Sequence, residues 1–188
     1  MATRVIYLCA ALLGFFNCPQ TPCAQQVPPA AYQLAAEDAG IPASVLFAVA
    51  QQESGLPLHG RLIPWPWTLN VAGVPARYPN RAQACSGLRR ALLRVPATRV
   101  DVGLGQVNVG YHGHRVEQPC ALLDPHRNLT IAATILREQH TPGEDWLVAI
   151  GRYYRPAEGP LAGRYRLSVQ QRWARASGGR TENTTKPR

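Results

Sequence analysis

Acidic residues are scarce in this chain of 188 amino acids. Eleven aspartates and glutamates stand against twenty lysines and arginines, which gives a formal net charge of +9. Lys186 is the only lysine, so nearly all of the positive charge is arginine. A basic chain suits anionic polymers, of which bacterial cell wall is one and nucleic acid is another. Because the arginines are spread along the chain and no nucleic-acid motif is present, we predict no nucleic-acid partner.

A sustained alternation of apolar and polar residues, the pattern of a half-buried strand, is also missing. No internal repeat is visible, and the length fits one domain with a sizeable core. Apolar residues instead recur at helical spacing, next to start and stop signals such as Gly40, Asn80 and Asp124-Pro125. We therefore predict a mainly α fold, a single domain with irregular loops and at most a minor β element. The predicted helices cover about 29–39, 42–54, 80–95, 124–139, 144–153 and 164–176.

Long apolar runs are absent except near the N-terminus, where one follows Arg4. Cys23-Ala24 then offers a small-residue cleavage site, so we interpret residues 1–24 as a secretory signal peptide. A membrane anchor is the alternative, but the run is too short to cross roughly 30 Å of hydrocarbon. We expect an exported monomer whose domain covers residues 25–176. Residues 177–188 lack apolar anchors and are predicted to form a disordered tail.

Export has a consequence for the five cysteines. Cys9, Cys18 and Cys23 would leave with the signal peptide, and Cys85 and Cys120 would remain. Two cysteines in an oxidising compartment suggest one disulfide, worth about 3–4 kcal/mol on a loop-entropy estimate. If the chain is not exported, the alternative is two free buried thiols.

Glu53 is the most informative carboxylate. On a helix over residues 42–54, Leu46, Val49, Ala50 and Glu53 fall on one face. Glu53 therefore continues a stripe that packs into the core, at the helix end. Burial disfavours the charged form of a carboxyl and raises its pKa, which a general acid needs near neutral pH. The alternative is an ordinary surface glutamate close to a helix end.

A glycine-bounded turn follows about fifty residues later, in Gly103-Leu-Gly-Gln-Val-Asn108. Glycines let backbone approach a ligand closely, and the amides of Gln106 and Asn108 can bond hydroxyl and acetamido groups. Asp101 directly precedes the turn. It is a candidate second carboxylate, although bonding to backbone amides of its own loop is the favoured interpretation.

Together, Glu53-Ser-Gly55 and the glycine turn resemble the "E-S-G … G-L-x-Q-x-N" signature of the lysozyme-like lytic transglycosylases (SLT domain). The resemblance covers roughly residues 30–170. It implies a lysozyme-like fold and cleavage of the MurNAc–GlcNAc β-1,4 bond of peptidoglycan, with a 1,6-anhydro-MurNAc product. It implies Glu53 as the sole acid and base, no cofactor and no metal, and a periplasmic, wall-associated protein. Ser54, Gln106 and Asn108 are then predicted to bind substrate. The family's usual methionine is replaced by Gly105.

A late segment, Ala149-Ile-Gly-Arg-Tyr-Tyr154, resembles the family's "A-x-x-x-Y-N" element. By this resemblance Tyr153 corresponds to the tyrosine that faces the glutamate. Its phenol is predicted to bind the carboxyl, and Tyr153 is counted among the substrate-binding residues. A core tyrosine at a helix end is the alternative. The segment Asn128–Ala133 resembles the family's core helix and is interpreted as packing.

Residues 58–100 form an insert relative to the family's smallest members, and prolines make residues 58–80 look loop-like. Trp65 and Trp67 are candidate stacking platforms for sugars, with Trp67 favoured, although they can equally pin the loop to the core. The run Pro66-Trp-Thr-Leu-Asn70 resembles transglycosylases encoded with conjugative, type IV secretion or pilus systems. This implies that the partners are peptidoglycan and such a machine.

Two other functions are also compatible with the sequence. One is a hydrolytic muramidase in which Asp101 directs water, as in glycosidases with two carboxylates. The other is a catalytically weak wall-binding module of a secretion system. A metal site at His112 and His114 is not predicted, because no third ligand stands at a suitable spacing.

Overall fold

Residues 26–155, 157 and 159–177 are described by a computed structural model of the chain. The predicted signal peptide, residues 1–24, and the tail from 178 onward lie outside the described residues. Helices dominate, as predicted. They are α1 (Ala30–Ala39), α2 (Ala43–Ser54), α3 (Arg81–Leu92), α4 (Val109–His112), α5 (Pro125–Glu138), α6 (Trp146–Tyr154) and α7 (Pro160–Ala176), with three short 3-10 turns at Ala97–Arg99, Gly113–Arg115 and Pro119–Leu123.

The helix ends follow from local chemistry. Gly40 ends α1 in the left-handed conformation, with φ of 65°, which places its N–H on carbonyls of the last turn. Asn80 and Asp124 begin α3 and α5, because each side chain accepts a hydrogen bond from a backbone N–H of the first turn. The predicted bounds of these helices are confirmed to within a few residues, while α7 begins one turn earlier than predicted.

The prediction that residues 58–80 form only loop is wrong. Six short strands occur in the described residues; three of them lie within this range and a fourth ends at Leu58. They are β1 (Gly55–Leu58), β2 (Arg61–Pro64), β3 (Thr68–Val71), β4 (Val74–Arg77), β5 (Val100–Val102) and β6 (Val107–Asn108). β1 and β2 form one antiparallel hairpin, and the other four form an antiparallel sheet in the order β4-β3-β5-β6.

Two-residue turns explain why this proline-rich segment forms strands. His59-Gly60 and Ala72-Gly73 connect the hairpins, and all four residues have positive φ. Such turns match the twist of paired strands. The prolines are tolerated because β1, β2 and β4 are edge strands with one unpaired side. The insert is therefore part of the same sheet as the glycine turn, since its strand β3 pairs with β5, the strand that carries Asp101.

One hydrophobic core extends from Tyr32 to Ala176. Helix α2 lies at its centre and contacts α1, α5, α7 and the β1–β2 hairpin. Residues 45–51 of α2 are all buried, so this helix is surrounded by other elements over most of its length. None of the described helices has the length and apolar character needed to cross a membrane.

The predicted disulfide is confirmed. Cys85 of α3 and Cys120 of the 3-10 turn Pro119–Leu123 are bonded, with Cα atoms 5.3 Å apart, the usual spacing for a disulfide. The two residues are 35 positions apart in the sequence. The bond attaches α3 to the segment that leads into α5.

We expect mass analysis of the unreduced mature protein to detect Cys85 joined to Cys120. The double substitution Cys85→Ser/Cys120→Ser should lower the free energy of unfolding by about 3–4 kcal/mol, because it releases a constraint on the unfolded chain. Denaturant unfolding measures the loss. Two freely alkylated thiols in the native protein would contradict both the bond and the inference of export.

Candidate active site

Glu53 is the penultimate residue of α2, where the buried helix reaches the surface of the core. Leu46, Val49 and Ala50 are at most 2 % exposed, as the helical stripe predicts. Glu53 itself is partly buried. Its carboxyl therefore lies at the boundary between the packed interior and a groove open to solvent.

The pKa of Glu53 is raised from 4.5 to about 7. Burial is the main cause, because removal from water disfavours the ionised form. A hydrogen bond from Tyr165 acts in the opposite direction, and the negative charge of nearby Asp101 raises the pKa further. A carboxyl in this environment holds its proton up to neutral pH, which is the property predicted from the sequence.

The phenol that contacts Glu53 comes from α7. The hydroxyl of Tyr165 donates a hydrogen bond to Oε1 of Glu53, and Tyr165 is 7 % exposed. Tyr153 was predicted for this role, and that prediction is wrong. Its hydroxyl donates instead to the carbonyl of Gly105, at 2.6 Å. Burial is the main cause of the raised pKa of the Tyr153 phenol, and the nearby charges of Glu53 and Asp101 raise it further.

The glycine turn between β5 and β6 is held by Asn128 of α5. The Oδ1 atom of Asn128 accepts from the N–H of Gly105 at 2.8 Å, and its Nδ2 atom donates to the carbonyls of Val102 and Leu122. Asn128 is 1 % exposed, and all three bonds are buried. The sequence interpretation of this helix as packing missed the role. An asparagine on the buried face of an otherwise apolar stripe was the available signal, because buried amides need partners.

Gly105 stands where the turn packs against α5 and α6. A Cβ atom there would lie 2.6 Å from the Cβ of Ala132 and 3.0 Å from the hydroxyl of Tyr153. Glycine is therefore the residue that fits. The methionine expected from the resemblance does not fit here without a shift of the neighbouring atoms, because its Cβ would overlap that of Ala132.

Ser54 and Asn108 were predicted to bind substrate, and their surroundings contradict this. Ser54 is fully buried, and its hydroxyl bonds the carbonyls of Ala50 and Leu104. It ties the end of α2 to the glycine turn. Asn108 caps α4 through Oδ1, which accepts two backbone N–H groups. Its Nδ2 donates to Thr98 and to Asp101, so the amide has no capacity left for a sugar.

Gln106 and Trp67 have partly buried side chains. The Nε2 atom of Gln106 donates to the carbonyls of Gly103 and Thr68, which leaves its Oε1 atom for a ligand. Trp67 packs against the core and meets Trp65 edge to face, with ring centroids 5.7 Å apart. This geometry favours pinning of the insert to the core. Contact with a sugar stays a prediction for both residues.

Asp101 is the second carboxylate of the site. It lies on β5, and Nδ2 of Asn108 donates to its Oδ1 at 2.7 Å. Burial raises its pKa, while the Asn108 hydrogen bond partly offsets that rise. Asp101 was expected to accept from backbone amides of its own loop, but the donor is instead the side-chain amide of Asn108, at the end of that loop. The negative charge of Asp101 nevertheless raises the pKa of Glu53.

A groove between the end of α2 and α7 passes over Glu53, and we call it the α2–α7 groove. Its volume is about 360 Å³. Its lining consists of Gln52, Glu53, Tyr154, Leu161, Arg164, Tyr165 and Ser168. Apart from Glu53, none of these residues was singled out from the sequence.

No family model, curated protein or solved structure matched the chain in comparisons with known proteins. Among the described residues, no group of three or more histidines, cysteines, aspartates or glutamates lies close enough together to hold a metal ion.

We expect Gly105→Ala to lower the free energy of unfolding by roughly 1–3 kcal/mol, because the added methyl group overlaps Ala132. Gly163→Ala is the matched control. Position 163 lies within α7 with no atom within 4 Å of an added Cβ, so alanine there should stabilise by up to about 1 kcal/mol. Denaturant unfolding of both variants checks the pair. Equal effects of the same sign would contradict the close packing at Gly105.

The raised pKa of Glu53 predicts a dependence of stability on pH. The folded state holds the proton more tightly than the unfolded chain, so the stabilisation is complete below about pH 4.5 and is lost as pH rises through about 7. Glu53→Gln removes this titration. The variant should gain about 2–3 kcal/mol over the wild type between pH 4.5 and 8, after allowance for partial exposure.

Unfolding by denaturant at several pH values measures that difference. Glu37→Gln, an exposed glutamate on α1, is the control and should show no comparable gain. A Glu53→Gln gain that does not change with pH would contradict the raised pKa.

Proposed function

We propose that this protein is a lytic transglycosylase of lysozyme-like fold that cleaves the MurNAc–GlcNAc β-1,4 bond of peptidoglycan. The observation that carries the proposal is a single carboxyl, Glu53, with a pKa near 7 beside an open groove. A glutamate at the end of a core helix, next to a small antiparallel sheet, supports the lysozyme-like assignment. The Glu-Ser-Gly and Gly-Leu-x-Gln-x-Asn motifs support the family.

The reaction uses Glu53 twice. Protonated Glu53 first gives its proton to the glycosidic oxygen as the bond from C1 of MurNAc to that oxygen breaks. The C6 hydroxyl of the same MurNAc then attacks C1 and passes its proton to the Glu53 carboxylate. The acid is regenerated, a 1,6-anhydro ring forms, and no water is consumed.

Tyr165 and the glycine turn position this group. The hydrogen bond from the Tyr165 phenol fixes the carboxyl rotamer and stabilises the ionised form that acts as base in the second step. Ser54 attaches the helix end to the turn, so the acid and the turn hold a fixed relative position. Such preorganisation is what an acid–base catalyst requires.

Hydrolysis is the second candidate, and Asp101 favours it. This carboxylate lies near enough to Glu53 to raise its pKa. In glycosidases a second carboxylate acts as nucleophile or activates water. Against this role, one of its oxygens accepts from Asn108, which orients the side chain along the sheet.

The charge distribution supports an anionic polymer as substrate. Between Glu53 and Asp101 the chain has seven arginines and no acidic residue, and all seven arginines are exposed. Peptidoglycan carries carboxylates on its peptides, so a basic surface promotes encounter with it. We place the protein in the periplasm at the cell wall. There it opens gaps locally for a conjugation, type IV secretion or pilus apparatus.

Digestion of purified sacculi tests the proposal. We expect chromatography and mass analysis of the released muropeptides to find 1,6-anhydro ends. Free reducing ends, which differ by one added water, would establish hydrolysis instead. Glu53→Gln should lower the rate by at least about 100-fold, because it removes the general acid.

Glu37→Gln again serves as the control and should keep full activity. A cooperative unfolding transition in denaturant shows whether Glu53→Gln is folded. If folded Glu53→Gln releases muropeptides at the wild-type rate, Glu53 is not the catalyst. A wild type that binds sacculi without releasing any product would indicate a wall-binding module.

A further inference from the structure

The α2–α7 groove contains more than the acid. Next to Glu53, the hydroxyl of Ser168 donates to Oε1 of Gln52 at 2.7 Å and accepts from Arg172 at 2.8 Å. These bonds fix the orientation of the Gln52 amide. Its oxygen faces Ser168, and its NH₂ group has no hydrogen-bond partner among the described residues. A preoriented pair of N–H donors is thus available beside the catalytic carboxyl.

Arg164 lies on the same face of α7, one turn before Ser168. Its side chain is exposed and lines the groove. The two ion pairs within the described residues are Arg115–Glu138 and Arg152–Glu144, so neither involves Arg164. The carboxyl that shares its groove, Glu53, is half or more protonated up to about pH 7. The groove therefore presents a cation and amide donors, which together suit a carboxylate.

The groove lining also includes large, partly exposed apolar and aromatic side chains. The ring of Tyr154 stacks on that of Tyr165, with centroids 4.5 Å apart and planes 11° from parallel. Tyr154 is 48 % exposed and Leu161 is 44 % exposed. Large apolar side chains left open beside a polar cluster are typical of a binding surface for a ligand with both characters.

We propose that this groove binds the peptide stem of the muramic acid residue whose bond is cleaved. The Arg164 guanidinium and the Gln52 amide bind a free carboxylate of the stem, and Tyr154 with Leu161 contacts its aliphatic part. This ligand is attached to the reacting sugar and combines carboxylates with methyl groups. The protein therefore prefers peptide-bearing glycan strands to bare ones. The inference rests on the proposed function. It specifies which form of the substrate the site prefers, namely glycan strands that carry peptide stems.

Steady-state kinetics on three substrates tests this preference. They are peptide-bearing glycan strands, the same strands with stem carboxylates converted to amides, and strands stripped of peptide by an amidase. We expect the wild type to have its lowest KM on the first. Arg164→Gln should raise that KM about two- to fivefold, within the range for an exposed charged pair, with kcat nearly unchanged. On the amidated and stripped strands Arg164→Gln should behave as the wild type does.

Arg175→Gln is the matched control, because it removes the same charge from the same helix about 16 Å further along. Arg164→Lys keeps the charge and should recover part of the lost affinity. Equal KM values of the wild type on all three substrates would overturn the inference while anhydro products still upheld the proposed function. An equal rise in KM for Arg175→Gln would show that the effect comes from net charge alone. That result would also overturn the inference. Absence of product from every substrate would overturn both proposals.

Discussion

Exclusion of water from the Glu53 carboxyl is the interaction on which the site depends. Burial contributes the largest part of its pKa rise, and that burial exists because α2 is surrounded by other elements over most of its length. The carboxyl also lies at the C-terminal end of a helix, where the helix dipole repels negative charge. An ionised Glu53 would therefore destabilise the fold for two reasons, the loss of hydration and the repulsion by the helix dipole. The chain keeps an arrangement that costs stability at neutral pH, which is common where an acid must retain its proton.

Most polar groups around Glu53 serve to hold it in place. Ser54 and Asn128 bond to backbone carbonyls and N–H groups of the glycine turn, and both are buried. Tyr153 adds a third bond to the same turn. Because buried hydrogen bonds are costly to break, the turn is fixed against α2, α5 and α6. The residues of the motif therefore mainly hold the site in position, and only some of these residues face the groove.

The sequence predicted the helices and the acid well, because both depend on local signals. The caps Asn80 and Asp124 and the stop at Gly40 act within one turn, and the stripe ending at Glu53 is a property of one helix. The disulfide followed from counting the cysteines that lie after the predicted signal peptide. The strands of the insert were not predicted, because the prolines in this segment indicate loop rather than strand. The dipeptides His59-Gly60 and Ala72-Gly73 were the hairpin signals, and their weight depends on which strands lie at an edge.

The partner of Glu53 could not be predicted in the same way. Tyr153 and Tyr165 are twelve residues apart on consecutive helices, and the sequence does not say which phenol reaches α2. Packing decides it, since α7 lies along α2 and brings Tyr165 to the carboxyl, while α6 directs Tyr153 to the glycine turn. The only early sign was that Tyr165 shares a helical face with Ala162 and Val169. A buried phenol on such a face needs a hydrogen-bond partner.

The basic charge of the chain raises a question for the mechanism, because nearby cations favour an ionised carboxylate. Within the described residues, the groups that shift the pKa of Glu53 are its buried surroundings, Tyr165 and Asp101, and no arginine is among them. Exposed charges more than about 8–10 Å away are largely screened at physiological salt, whereas desolvation is local and is not screened. Exposed arginines outside the groove can therefore attract an anionic wall that approaches their own part of the surface without removing the proton of Glu53. A basic surface and a protonated Glu53 are compatible in one chain, because the arginine charges and the desolvation of Glu53 act over different distances.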